Sequence, residues 1–203
     1  YTFDKVDNRL SQKTTIGSAS ATTNYTYTAK NELTNDGDSA FTYNAAGELT
    51  KRTTIQTEKT YTYDYEEKLK SLNQSATNVT TNYTYDGFGN RIKKNVSGME
   101  TRYVNDVTGD LSKVLAETTS NNVILTYNIY GLGAISTGAG SDNTRNYYLE
   151  DGLGNIRFTT NSTGTLTAKY QFDPYGNKRN AVNNIADNVF QYKGEELDSD
   201  SII

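Results

Sequence analysis

Carboxylates dominate the acid–base chemistry open to this sequence. Its 203 residues contain no His and no Cys. That removes the Ser-His-Asp triad, the imidazole base, the ordinary zinc site, the thiol nucleophile and any disulfide framework. One cluster, Glu195, Glu196, Asp198 and Asp200, could hold a pair for glycoside hydrolysis, which needs only two carboxyl groups flanking the scissile bond. Spacing along the chain does not set separation across a fold, and a solvated acidic tail is the plainer reading. Asn35-Asp36-Gly37-Asp38-Ser39 gathers two carboxylates and two further oxygens around a glycine. A hard cation wants six or more oxygens, and the EF-hand spacing is not met, so Asp36 and Asp38 read first as a polar hairpin turn before Phe41. Arg91, Lys93 and Lys94 read as an exposed strand face rather than an anion site. No catalytic residue, cofactor or resident metal is expected.

Partners are bounded the same way. A net charge of −4 argues against nucleic acid, because phosphate contacts need clustered Lys and Arg. Apolar runs are only a few residues long, so no membrane span and no signal peptide are expected in this segment. Six Asn-x-Ser/Thr sequons occur, at Asn24, Asn73, Asn78, Asn82, Asn95 and Asn161. With 23 Asn and 45 Ser plus Thr, chance alone supplies about five, so they say nothing about glycosylation. The chain opens on Tyr1 in strand-like sequence and reads as a piece of something longer.

The elements that must position these groups are β-strands and turns. Leu, Ile, Val and Phe number 13, 10, 9 and 6, a low aliphatic content, while Tyr reaches 17 and Trp is absent. Thr and Asn add 31 and 23. Tyr and Thr fit pleated surfaces, and Asn and Gly fit turns, so a helical fold is excluded.

The sequence repeats. Tyr83-Thr84-Tyr85-Asp86-Gly87-Phe88-Gly89-Asn90-Arg91-Ile92 aligns without gaps on Tyr1-Thr2-Phe3-Asp4-Lys5-Val6-Asp7-Asn8-Arg9-Leu10. The frame returns at Phe41-Thr42-Tyr43-Asn44, at Tyr61-Thr62-Tyr63-Asp64, and at Tyr103-Val104-Asn105-Asp106 with Gly109. Looser copies start at Tyr25 (with Tyr27), Leu125 (with Tyr127 and Gly131), Tyr147, Tyr170 (with Phe172) and Phe190 (with Tyr192). The nine intervals from 1 to 190 average 21 residues. Period-two alternation puts the aromatic rings on one face of each strand and Thr on the other. Asp64, Asp86, Asp106 and Asp173 would open turns, with Gly89, Gly109, Gly131, Gly154 and Gly176 available for φ > 0. Ser97-Gly98, Asn121-Asn122 and Thr163-Gly164 would close the units. One such hairpin cannot bury its aromatic face alone, so neighbours must stack. The repeated rings are expected to be core, from Tyr1 and Phe3 through Tyr147 to Tyr192.

These residues resemble the Rhs or YD-repeat proteins, whose repeat is a Tyr-x-Tyr-Asp-x-x-Gly-Arg/Asn-Leu frame. Tyr147-Tyr148-x-x-Asp151-x-Leu153-Gly154-Asn155-x-Arg157 is similar to the start of the family's Rhs-associated core. Tyr170-x-Phe172-Asp173-Pro174-Tyr175-Gly176 and Phe190-x-Tyr192-x-Gly194-x-Glu196-x-Asp198 are similar to its next two blocks, in order. The resemblance implies an all-β fold, a spiralling sheet of stacked antiparallel hairpins. It divides the chain into YD-type repeats over 1–146 and core-like repeats over 147–203, continuous in one structural domain. In bacterial members such a shell encloses a C-terminal toxin or effector; in animal relatives, the teneurins, it is a rigid adhesive element. The family's next block and the self-cleavage site beyond it do not occur here, and no catalytic role is carried onto Asp173-Pro174-Tyr175-Gly176. With about ten repeats the chain is expected to be a wall segment, ending inside the core region at Ile203.

The first function expected is therefore a non-catalytic segment of a secreted or cell-surface shell. Its partners would be flanking repeats and a possible enclosed C-terminal domain, with possible self-association through sheet edges. The alternative is a glycan-binding β-solenoid whose tyrosines stack on sugars, although wall-binding repeats of that kind favour Trp. Carboxylate hydrolysis, the third, has no constellation to name.

Overall fold

The computed structural model describes residues 1–140, 144–179 and 188–197. Its strands are β1 (Thr2–Phe3), β2 (Arg9–Ile16), β3 (Ala19–Asn24), β4 (Thr26–Tyr27), β5 (Leu33–Asn35), β6 (Ser39–Tyr43), β7 (Leu49–Thr54), β8 (Glu58–Tyr63) and β9 (Leu69–Gln74). There follow β10 (Val79–Tyr85), β11 (Arg91–Val96), β12 (Met99–Asp106), β13 (Lys113–Thr119), β14 (Ile124–Tyr130), β15 (Ala134–Ala139), β16 (Arg145–Glu150), β17 (Ile156–Thr160) and β18 (Leu166–Lys169). Among the described residues there is no α-helix, and one 3-10 turn spans Tyr192–Gly194. Strands β1–β3 make a three-stranded sheet; β4–β18 make a sheet of fifteen strands in chain order. Neighbours are antiparallel, as tight turns between successive strands require.

Seven hairpins carry the same irregularity. Thr62 pairs with Ser71, but Tyr63 pairs with Leu69, so Lys70 is an extra residue on the outgoing strand. The same shift falls at Thr2/Phe3, Thr26/Tyr27, Thr42/Tyr43, Val104/Asn105, Ile129/Tyr130 and Leu149/Glu150. These are β-bulges, which interrupt the ladder and sharpen the local twist.

Contacts divide the chain into two compact units, Tyr1–Thr84 with Asn95–Gly98, and Tyr85–Lys94 with Met99–Ile203. The division falls within the β10–β11 hairpin. In the first unit Tyr25, Leu49, Tyr61, Leu72 and Tyr83 are buried, with Tyr61 directly across from Leu72. In the second, Ile156 is fully buried among Tyr148, Ala168, Tyr170 and Phe190. The opposite face carries cross-strand hydroxyl pairs such as Thr62–Ser71 at 2.7 Å.

Three expectations are corrected. Tyr1 and Phe3, expected in the aromatic core, are about half exposed (51% and 48%). Strand β1 has β2 on one side only, and the two rings lie against each other with centroids 6.4 Å apart. Tyr147 is not the buried ring of its frame; Tyr148 is. Among the described residues the last two frames add no strand to the sheet; each carries an isolated bridge, Phe172 to Lys178 and Phe190 to Glu196. Lys193 (φ 54°) and Gly194 (φ 68°) are consecutive left-handed residues, which coil the Phe190 segment instead of extending it.

Candidate functional site: the aromatic face and the segment docked on it

The turn after each Tyr-x-Tyr is built from one side chain. Asp86 Oδ1 accepts the amides of Phe88 and Asn90, both at 2.9 Å, and Asp86 Oδ2 accepts the Asn90 side-chain amide. Asp4, Asp64, Asp151 and Asp173 take the same amides in their own turns. The residue three beyond the acid sits at positive φ: Gly89 at 88°, Gly154 at 79°, Gly176 at 86°, and Glu67 at 62°. Gly109 and Gly131 lie in turns of another kind, outside the left-handed region. Asp106 binds the Thr108 amide and hydroxyl, and the Gly131 amide donates to Gly133 O.

These bonds favour the ionised acids. The Asn155 side-chain amide, with two backbone amides and Arg157, holds Asp151 down to about 2. The amides of Asn8 and Asn90 hold Asp4 and Asp86 below the ordinary value, and the Thr108 hydroxyl does so for Asp106. Burial would raise the Asp173 carboxyl, but hydrogen bonds from Asn177 and Tyr175 and the Arg179 charge outweigh it and leave it low.

Four tyrosine hydroxyls reach back to the preceding hairpin. Tyr27 Oη donates to Arg9 O (3.0 Å), Tyr43 to Leu33 O (2.8 Å), Tyr63 to Leu49 O (2.9 Å) and Tyr130 to Val114 O (3.0 Å). Asn105 Nδ2 does the same to Arg91 O at 2.9 Å. The acceptors Arg9, Leu33, Leu49 and Val114 are each the residue just before the bulged one, where the ladder is interrupted. The bulge and the hydroxyl therefore complete one another, and the motif's aromatic–Asp step becomes a bond between hairpins. The Arg after the turn supplies a second tie. Arg9 lies 4.1 Å over the Tyr25 ring and Arg91 4.7 Å over Tyr103, in equivalent places.

First-position rings are mostly interior. Tyr25, Tyr61, Tyr83, Tyr103, Tyr170 and Phe190 are buried; Phe41 and the second-position Tyr85 are half-buried. Tyr127 is half-buried under Arg145, whose Nε donates to its hydroxyl at 3.2 Å, and its ring fills the space a Cβ on Gly138 would take. Tyr147 is half-buried.

On this face the C-terminal segment docks. Phe190 meets Tyr148 and Tyr130 edge-on, with centroids 5.7 and 6.0 Å away. The Ile156 amide donates to Gln191 O at 2.9 Å, and the Lys193 amide to Asn155 Oδ1 at 2.9 Å. Tyr192 packs on Phe172 and donates to Pro174 O at 2.8 Å. Burial, followed by the Glu196 charge, pushes the Tyr130 hydroxyl up to about 12. Beside this contact lies a cavity of about 260 Å³ lined by Thr126, Asn128, Thr137, Asn146, Glu117 and Glu196, among others.

The candidate carboxylates separate. Glu196 lines that cavity and pairs with Arg91 at 3.7 Å, so Arg91 is not part of a bare strand face. Lys93 pairs with Glu100 at 3.4 Å. Glu195 is exposed, and Asp198 and Asp200 lie outside the described residues. Asp36 Oδ1 accepts the amides of Asp38 and Ser39 in the β5–β6 turn. Sequence reasoning missed Tyr148, Tyr130, Asn155 and Gln191. A signal for Tyr148 was present: each first-position ring stands three residues before its turn residue, as Tyr83 does before Asp86, and counting back from Asp151 gives Tyr148.

A sequence profile for the teneurin YD-shell matches residues 1–201. The chain belongs to the teneurin YD-shell family. Among curated proteins it is similar to the tRNA(Glu)-specific nuclease WapA of Bacillus subtilis subsp. natto, 31% identical over 95 residues, 46% of this chain and 4% of that protein. The tRNA nuclease WapA of Bacillus subtilis strain 168 matches to the same extent, 31% over 95 residues, again 46% of this chain and 4% of the relative. A solved structure of the Photorhabdus luminescens Tc holotoxin pore superposes with a TM-score of 0.55 at 15% identity, over 98% of this chain and 11% of that one. At that identity the likeness is one of fold. This YD-shell chain thus spans a small part of the proteins it resembles, and it is a structural segment of a shell. No helix among the described residues is long and apolar enough to cross a membrane.

Proposed function

We propose that the chain is a non-catalytic wall segment of a secreted or cell-surface shell that encloses or presents a C-terminal effector. The observation that carries this reading is the repeated hydroxyl-to-bulge bond between consecutive hairpins, which makes one continuous wall out of units that cannot stand alone. Two features support the non-catalytic part. The turn acids Asp4, Asp64, Asp86, Asp151 and Asp173 spend an oxygen on backbone amides. Glu196, the tail carboxylate lining the cavity, is engaged by Arg91. The nuclease activity in the names of the WapA proteins belongs to those proteins, of which this chain matches 4%. The fold is shared with a holotoxin pore, and that likeness supports a toxin context. A glycan-stacking role would need open rings, and Tyr25, Tyr61, Tyr83 and Tyr103 are buried.

Limited proteolysis of the polypeptide as its native host makes it, with mass spectrometry of protected fragments, tests the proposal. Enclosure predicts a protease-resistant fragment outside residues 1–203 that becomes cleavable when Ile156→Asp opens the wall. Cleavage of all flanking sequence at the rate of unfolded peptide rejects it.

A further inference from the structure

The cavity beside the docked segment lies wholly within the second unit, and the hydrogens of its walls are largely committed elsewhere. Asn128 is directly across from Thr137, and Thr137 from Asn146. Asn128 stands two residues before Tyr130 on β14, so these side chains share the face that receives Phe190. Asn128 Nδ2 donates to Val114 O at 2.9 Å, and Asn188 Nδ2 to Phe190 O. Thr137 Oγ1 donates to Tyr127 O at 3.4 Å. Thr167 Oγ1 donates to Asn146 Oδ1 at 3.3 Å, so Thr159, 2.7 Å from Thr167, gives its own hydroxyl hydrogen to Thr167.

What these groups still offer is lone pairs. Glu117 and Glu196 add two carboxylates, and no Lys or Arg is among the described residues lining the cavity. Asn128 Oδ1 is buried with no hydrogen-bond partner among the described residues, so its negative end stands uncompensated in the wall. Thr126 and the exposed Asn146 can still donate, but the balance lies with acceptors. Arg91 is outside the lining and meets Glu196 at 3.7 Å, longer than a hydrogen bond.

We propose that this cavity binds a primary alkylammonium group. An ammonium brings three N–H donors, no acceptor and a positive charge, the complement of such a wall. An anion would meet two carboxylates, and a sugar would set its own lone pairs against those of the threonines. A hard metal ion takes six or more oxygens, and among the described residues no group of three or more acidic side chains is placed to hold one. The volume of about 260 Å³ equals roughly nine waters at about 30 Å³ each, room for an ammonium on a stem of about five carbons. Ala139, Val189 and the threonine methyls give that stem apolar contact. A free diamine and a lysine side chain of another polypeptide segment share this chemistry. The inference rests on the cavity alone and does not depend on whether the wall encloses anything.

Ligand-observed NMR titration of the whole chain with cadaverine at low salt tests it. A ligand this small should bind with Kd on the order of 1 mM, and pentanediol, equally long but uncharged, should not bind measurably. Glu117→Gln should weaken cadaverine about 10-fold. Glu195→Gln makes the same charge change at an exposed residue outside the lining and should leave affinity unchanged. Should Glu117→Gln lower the melting temperature, Glu196→Gln is measured in its place with the same expectation. Four results would overturn the proposal. They are no cadaverine binding up to about 10 mM, equal binding of pentanediol, wild-type affinity in both cavity variants, or an equal loss in Glu195→Gln. Lysine capped at both ends of its backbone separates the two sources. Tighter binding than cadaverine supports a protein side chain as the natural occupant, and weaker binding supports a free diamine; in both cases the ammonium site stands.

Discussion

Replacing Tyr63 by Phe deletes one hydroxyl and leaves the ring. That hydroxyl donates to Leu49 O at 2.9 Å, at the bulge of the preceding hairpin. A net hydrogen bond is worth about 1 kcal/mol, and leaving a half-buried carbonyl short of a donor adds to the loss, so the cost should be about 1–2 kcal/mol. Two residues earlier on the same strand, Tyr61 is 3% exposed, and its hydroxyl has no hydrogen-bond partner among the described residues. Burial raises the pKa of that hydroxyl, as expected for a phenol out of water. Tyr61→Phe removes a buried polar atom that nothing compensates, so it should be neutral or stabilising by up to about 1 kcal/mol. The same chemical edit, 2 positions apart on β8, should thus change sign. Urea melts of both variants, fitted with a common slope, measure it: the midpoint should fall for Tyr63→Phe and hold or rise for Tyr61→Phe. Equal losses, or a larger loss at Tyr61, would refute the hydroxyl-to-bulge bond as the link between hairpins.

Other outcomes follow from the same geometry. Tyr85→Ala should cost roughly 3 kcal/mol and Thr84→Ala, on the exposed face, under about 1, in paired denaturant melts. Gly138→Ala should destabilise by about 1–3 kcal/mol, because its new Cβ would lie 2.3 Å from the Tyr127 ring; Gly152→Ala, with nothing within 4 Å, is the control, and thermal melts compare the two. The carboxyl of Asp151 is lowered to about 2, so its contribution is whole above the unfolded value near 4 and disappears as pH falls from about 4 to 2. Midpoints measured against pH should drop through that window, with a flatter acid limb for Asp151→Asn.

Fold class was legible because Tyr-Thr alternation and the Asp-x-x-Gly turn act locally, within a few residues. The aromatic face was partly legible for the same reason. What escaped depends on contacts between hairpins. Tyr147 and Tyr148 are both aromatic, and only the phase of the Asp151 turn says which of them points inward. The bulge is set by pairing with the neighbouring strand, so nothing in Leu49 or Tyr63 alone announces their bond. Gly109 and Gly131 look like Gly89 in sequence, but their turns lack the amide pattern that puts Gly89 at positive φ. The docking of Phe190 rests on Tyr130, Tyr148 and Asn155, up to sixty residues away, and local sequence carries no trace of it. Tyr1 and Phe3 have the right spacing, but spacing cannot supply a second strand to cover them.

The hydroxyl-to-bulge bond also has a direction. Tyr27, Tyr43, Tyr63 and Tyr130 all reach toward the hairpin made earlier in the chain, and none of these bonds points forward. A hairpin emerging from the ribosome therefore brings the donor, and the acceptor is already folded and waiting. Synthesis delivers residues at about 5–20 per second, whereas a hairpin closes in about 1–10 µs, so each unit can lock onto its predecessor long before its successor exists. Assembly would run with translation, one hairpin at a time. The newest edge is then where the growing sheet stands open to aggregation.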